Sequence, residues 1–240
     1  MFIEVYYSLM PEDNVMPGPI DPPQVKPRSR MTEAPSGEPE DSAVRWKSYN
    51  NTSIMEFFAH TGTHIDVPFH VDPEGFKMHE FELNDFIFNS PVMLQIPKQN
   101  KEKISVEELE PHEEELAKAN MLLIYTGFSK TRKKDPEGFV KNQPSFTLEA
   151  ANYLVDNFNI KGYGIDTIGI ENIPDGKAAS PVQFPVHKVF LTKKKQKSFV
   201  LEDLNLAVLV GKKLRRFFVI PLRMFGAEAM PVTAFAEVED

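Results

Sequence analysis

Apolar and polar positions follow one another in short blocks along this chain, and the period of the blocks changes several times. Residues 2–8, Phe-Ile-Glu-Val-Tyr-Tyr-Ser, read as a strand. So do Ile54–His60, Val92–Ile96 closed by Pro97, and the apolar run Met121–Tyr125, each rich in β-branched, aromatic or aliphatic residues. The period lengthens over 105–119, where Ser105 and Glu108 have capping-box spacing and Leu109 and Leu116 recur, which predicts a helix despite Pro111. A second helix is predicted from Thr147, with Ala150, Ala151, Leu154, Val155 and Phe158 at helical spacing, and a short strand follows at Gly162–Asp166. Further strands are expected at Phe199–Leu201, Leu206–Val210, Phe217–Leu222 and Val232–Val238, so the class is mixed α/β with many strands. Between residues 10 and 43 Pro, Gly, Ser and acidic residues displace any period. That stretch is expected to be a long irregular arm, which covers a site, reaches a partner subunit or simply lies on the surface.

Composition narrows the classes. At 240 residues, 41% hydrophobic and 26% charged, the chain can bury a sizeable core, and residues 1–240 are expected to form one domain carrying the arm. The 27 basic and 35 acidic side chains leave a formal charge of -8, so no long-range field would gather nucleic acid or an anionic membrane, and small molecules are the expected partners. The basic runs Lys130–Lys134 and Lys193–Lys197 fall where turns are expected and read as solvated loops. No apolar run approaches the roughly 18–20 residues that span a bilayer, and the N-terminus lacks the basic-then-apolar plan of a signal peptide, which points to the cytoplasm. Asn51-Thr-Ser53 therefore reads as a chance glycosylation pattern. Gly162-Tyr-Gly164 precedes its strand and opens no helix, so it is not a dinucleotide fingerprint.

With no cysteine, any metal must be held by His, Asp and Glu, and three of the 6 histidines fall within one segment, His60-Thr-Gly-Thr-His64-Ile-Asp66-Val-Pro-Phe-His70. His60, His64, Asp66 and His70 share even parity and so one face of an extended chain. A straight strand would hold His60 and His64 ~13 Å apart, whereas ligands lie about 2.0–2.2 Å from a shared ion, so the backbone must bend. Gly62 supplies freedom for that bend, and Pro68 stiffens a second change of direction before His70. A helix would also bring His60 and His64 together, but Gly62, Thr63, Ile65, Val67 and Pro68 oppose it. Two imidazoles and a carboxylate suit Zn²⁺ or Mn²⁺ with coordination positions left for water and substrate. Such an ion acidifies bound water toward pKa about 7 and polarises a carbonyl, while His70 is free for proton transfer.

The segment resembles the H-x-G-T-H-x-D-x-P-x-H signature of the cyclase family, which includes bacterial kynurenine formamidase and isatin hydrolase. The resemblance continues through Tyr125-Thr126-Gly127, the helix near Leu148–Val155, Gly164-Ile-Asp166-Thr167, Pro185-Val-His187-Lys188 and Glu202-Asp-Leu-Asn. It implies that His60, His64 and Asp66 bind a metal and that His70 is the catalytic acid/base. It further implies a second ion held by His187 and Glu202 with Asp66 bridging, hence one or two Zn²⁺, or Mn²⁺, per subunit. The implied fold is a swivelling β/β/α domain with a mixed, largely antiparallel barrel-like sheet flanked by helices, assembled as a homodimer or homotetramer. Met16-Pro17-Gly18 stands where many relatives carry Trp-Pro-Gly, and the basic run at 193–197 lengthens the spacing from His187 to Glu202.

Three functions stay in view. The leading one is metal-dependent hydrolysis of an amide, formamide or cyclic amide, an arylformamidase-like reaction on a carbon–nitrogen bond other than a peptide bond. A lyase or cyclase using the same ion to stabilise an enolate is the second. A non-catalytic module supported by metal is the third.

Overall fold

A nine-stranded mixed sheet organises the computed structural model, which describes residues 1–7, 24–27, 30–32, 48–50 and 53–239. In chain order its strands are β1 (Phe2–Glu4), β2 (His64–Asp66), β3 (Ile87–Phe88), β4 (Pro91–Gln95), β5 (Met121–Tyr125), β6 (Gly162–Ile165), β7 (Phe199–Glu202), β8 (Leu214–Pro221) and β9 (Ala229–Val238). They lie in the order β3-β8-β9-β2-β7-β6-β5-β4, with β1 also paired to β9. β4 to β7 run parallel to one another, and every other pairing in the sheet is antiparallel. β4 comes back against β8, curling the sheet into a nearly closed barrel. This is the expected class, α+β with a largely antiparallel barrel-like sheet.

The strand patterns explain the two cores. β9 alternates, with Met230, Val232, Ala234, Ala236 and Val238 buried and Thr233 exposed, so one face lines the barrel interior with Ile65, Phe81, Phe199, Leu201, Phe217 and Val219. β5, β6 and β7 are instead covered on both faces and read as continuous apolar runs. Their outer face carries α1 (Leu148–Asn157) and α2 (Pro185–Thr192), whose Ala151, Leu154, Val186 and Phe190 pack on Leu122, Tyr163, Ile165 and Val200. Thr147 begins α1 as expected, accepting from the Ala150 amide at 3.0 Å.

Several expectations are corrected. The helix over 105–119 is broken into Val106–Leu109, a 3-10 turn Glu110–His112 and Glu113–Leu116, because Pro111 has no N–H to continue the ladder. Leu206–Val210 is no strand; Leu206–Leu209 is a 3-10 turn that buries its two leucines on one side. Ile54–His60 is extended only within Ser53–Glu56. The supposedly irregular stretch 10–43 contains Gln24–Pro27, paired with Ser53–Glu56, and Arg30–Thr32, paired with Ser48–Asn50. Ser53–Glu56 is exposed at every position, so such a ribbon needs no alternation of apolar residues. The rest of the arm, with Met16-Pro17-Gly18, and also Trp46 and Asn51, lies outside the described residues. Among the described residues no helix is long and apolar enough to cross a membrane.

Candidate metal centre

β2 lies between β7 and β9, and its register sets the site. His64 stands opposite Glu202 of β7, and His64 and Asp66, two residues apart, share a face. Before the strand the chain turns at Gly62, whose φ of 60° is the left-handed conformation glycine adopts without strain. His60 therefore folds back, its Nδ1 2.9 Å from Asp66 Oδ1. After the strand, Pro68 opens a 3-10 turn, Pro68–His70, that returns His70 to within 4.0 Å of Asp66 Oδ2. The two bends foreseen at Gly62 and Pro68 are both present.

His187 comes from the first turn of α2 and Glu202 from the end of β7. The Glu202 carboxylate spans them, with Oε1 3.2 Å from His187 Nε2 and Oε2 3.3 Å from His64 Nε2, while Oε1 accepts from the Ile170 amide at 2.6 Å. All six residues singled out in the sequence thus meet in one place. Two further acids join them. Glu171 Oε2 lies 3.1 Å from His187 Nδ1, and Glu228 Oε1 lies 3.6 Å from His60 Nε2. Neither has a local sequence signal, although Pro185 followed by apolar residues at 186, 190 and 191 marks the helix that brings His187 to Glu171.

The donor set fits a cation. His64 Nε2 and both Asp66 oxygens are buried and have no hydrogen-bond partner among the described residues, although ring nitrogens stand 2.9–4.0 Å from Asp66. Protonated imidazoles beside it can compensate this buried carboxylate, and an ion between the lone pairs would do so in their place. His60, His64 and Asp66 each offer a ligand atom within 4.8 Å of the others, as do Asp66, His70 and His187. The second grouping thus includes His70 and not Glu202, a proximity the sequence did not disclose. Nitrogen and oxygen donors without sulfur suit Zn²⁺ or Mn²⁺. His64 Nδ1 donates to the Gly62 carbonyl at 2.8 Å, which turns the Nε2 lone pair toward Asp66 and Glu202.

Electrostatics point the same way. Burial opposes charge on His60, but the adjacent Asp66 carboxylate outweighs it and pushes the imidazole up to about 10. Burial likewise opposes charge on His187, and its bonds to Glu171 and Glu202 raise it to about 10. Burial would raise Asp66, yet the surrounding histidines hold it far below the carboxylate range, and His187 and His64 similarly hold Glu202 down at about 2. The pocket thus favours positive charge. His70 differs: burial depresses it despite Asp66, so it stays neutral at neutral pH. Its side chain is 29% exposed, against 1% for Asp66, and it lines a cleft of about 620 Å³ with Val71, Pro181, Val182, Phe184 and Lys188.

A buried polar frame lies behind the centre. Arg132, far from being solvated with its basic run, donates from Nε and Nη2 to Asp203, the residue after Glu202, at 2.6–3.0 Å. Asp203 is itself left-handed, at φ 53°, and its carbonyl accepts from Thr63 Oγ1 at 2.5 Å, tying β7 to the loop between His60 and His64. Asp166 accepts from the Thr126 amide and hydroxyl, the Gly127 amide and Ser129 Oγ at 2.6–3.0 Å. Thr126-Gly127 and Asp166, which resemble family positions separately, are one hydrogen-bonded unit.

A mixed barrel carrying a buried His/Asp/Glu cluster that opens through one imidazole into a cleft defines a candidate metal-centred enzyme. The chain matches the family model described as "Putative cyclase" over residues 11–172, and it belongs to the cyclase family. It is 36% identical over 107 residues to an uncharacterised protein of Haemophilus influenzae, covering 44% of this chain and 75% of that one. It is 33% identical over 157 residues to a kynurenine formamidase of Geobacillus thermodenitrificans, covering 64% of this chain and 68% of the relative. Isatin hydrolase A from Ralstonia solanacearum superposes with a TM-score of 0.72 at 21% identity, covering 100% of this chain and 92% of that one, a likeness of fold.

Proposed function

We propose that this chain is a metal-dependent hydrolase of a carbon–nitrogen bond in a small amide, formamide or cyclic amide. His60, His64 and Asp66 would hold one ion, and Asp66, His187 and Glu202 a second, with Zn²⁺ or Mn²⁺ as the candidates. The observation that carries this is the set of buried, unpartnered lone pairs on His64 and Asp66 beside a neutral His70 at the mouth of a cleft. When bound, the ion supplies Lewis acidity, which polarises a carbonyl and acidifies water.

The chain's own residues do the rest. His70, held neutral by burial, accepts a proton from the attacking water and returns it to the departing amine. Asp66 supplies the negative charge on which the imidazoles converge, and Ile170 N–H orients Glu202. The cleft wall is mixed, with Val71, Pro181, Val182 and Phe184 beside the polar Gln183 and Lys188, and an aryl substrate with polar substituents is the candidate suggested by the kynurenine formamidase relatives. The chain is further proposed to work as a homo-oligomer in the cytoplasm and to need its N-terminal arm, so removal of residues 10–30 lowers turnover or association.

The test is turnover of an aryl formamide before and after chelation. Chelation abolishes release of formate and Zn²⁺ or Mn²⁺ restores it, whereas full turnover by ion-free protein overturns the proposal. His70→Ala keeps its ions and loses about 10²–10⁴-fold in rate.

A further inference from the structure

Glu171 has no part in the chemistry just described, yet its carboxylate is almost fully buried and one of its oxygens is heavily used. Oε2 receives the Val186 amide at 3.1 Å, the His187 amide at 3.2 Å and His187 Nδ1 at 3.1 Å. The two amides belong to the first turn of α2, where N–H groups have no partner inside the helix. The same oxygen therefore holds the helix end and the ring it carries.

Oε2 already accepts from two backbone amides and serves as an acceptor for the ring as well, so Nδ1 carries the hydrogen. Nε2 is then the nitrogen turned toward Glu202 Oε1 at 3.2 Å, and it is the one left to take an ion once its own proton is released. The other tautomer would set a lone pair against Oε2. Glu171 is in turn fixed through its backbone: its carbonyl accepts from Gln143 Nε2 at 2.7 Å, and Asn172 Nδ2 donates to the Gln143 carbonyl at 2.9 Å.

We propose that Glu171 is a positioning residue for the second ion, fixing the tautomer and tilt of His187 and strengthening its Nε2 as a ligand. This rests on the two-ion centre proposed above. The two ions have unlike supports. His64 is oriented by the backbone carbonyl of Gly62, which no side-chain change removes, whereas His187 is oriented by a carboxylate that can be removed by itself. Loss of Glu171 should accordingly unload one ion and spare the other.

The experiment compares wild type, Glu171→Gln and Glu171→Ala, each stripped and then titrated with Zn²⁺ against a chromogenic chelator, with elemental analysis after gel filtration and a thermal melt of each stripped protein. Glutamine keeps an oxygen able to accept all three bonds and loses only the charge; alanine loses both. Wild type is expected to hold two ions. Glu171→Ala weakens the second by about 10–100-fold and Glu171→Gln by less, with the first ion's affinity unchanged and a cooperative melt retained. Two ions at wild-type affinity in Glu171→Ala overturn the proposal, as does equal weakening of both ions in Glu171→Gln. Wild type that binds no Zn²⁺ instead defeats the metal-dependent reading itself, so the two failures are distinguishable.

Discussion

Replacing Arg132 by methionine isolates the frame behind the metal centre. Arg132 and Asp203 are 1% and 0% exposed, and the guanidinium meets the carboxylate at 2.6, 2.7 and 3.0 Å. Removing one partner of such a pair costs about 3–5 kcal/mol, because the remaining charge is left in a medium that solvates it poorly. The guanidinium also lies over the Tyr7 ring at 4.1 Å, a contact worth up to about 2 kcal/mol when desolvated. Methionine retains most of the stem volume, so the cavity contribution is small and a loss near 3 kcal/mol is expected. With an m-value of about 3 kcal/mol/M, urea unfolding of the metal-stripped protein followed by circular dichroism should shift its midpoint down by about 1 M. Asp203→Asn in the same background removes the stranded charge, tolerates the left-handed backbone and recovers a good part of the loss. A loss below about 1 kcal/mol for Arg132→Met, or no recovery in the double variant, would refute the reasoning.

Gly75→Ala places a Cβ 2.5 Å from the Pro68 carbonyl carbon and 2.8 Å from the Phe69 amide, backbone atoms that no rotamer change can move aside. It should cost about 1–3 kcal/mol and reduce turnover by displacing the turn that carries His70, with ion content unchanged; wild-type melting and turnover would count against it. Asp66→Asn should lose ion binding at both positions, and elemental analysis finding two retained ions would contradict the shared role of that carboxylate. In metal-stripped protein His60 and His187 are raised from 6.5 to about 10, so the folded chain holds protons the unfolded chain has released. Their stabilisation is complete below pH 6.5 and lost as pH rises through about 10. The melting temperature should fall across that window in stripped protein and much less in Zn²⁺-loaded protein, where the ion replaces those protons; parallel profiles would sink the idea.

What was legible in the chain follows the distance over which each feature is encoded. The segment from His60 to His70 was readable because its candidate donor atoms and both of its bends, at Gly62 and Pro68, lie within eleven residues. His187 and Glu202 entered only through resemblance, since one histidine and one of 35 acidic residues carry no pattern by themselves. Glu171 was missed because its meaning depends on α2 packing against the sheet 16 residues later. Arg132 was misread for a similar reason: charge counting along Lys130–Lys134 cannot see a buried aspartate 71 residues away. Leu206–Val210 shows the opposite limit, a run too short to separate strand alternation from a 3-10 turn that buries its first and fourth residues.

The turn between α2 and β7 shows which lengths in this protein are free. Lys193 reaches Asp156 at 2.7 Å and Lys197 reaches Asp85 at 3.0 Å, so the connector is fastened to the surface at both ends. The separation of His187 from Glu202 is set elsewhere, by the seat of the helix on the sheet and by the pairing of Glu202 with His64. Lys194 also donates to the Phe158 carbonyl, so residues could be added or removed at 195–196 without altering the spacing of the donors. The same stretch is a natural place to install a fluorophore or an affinity tag in a working enzyme.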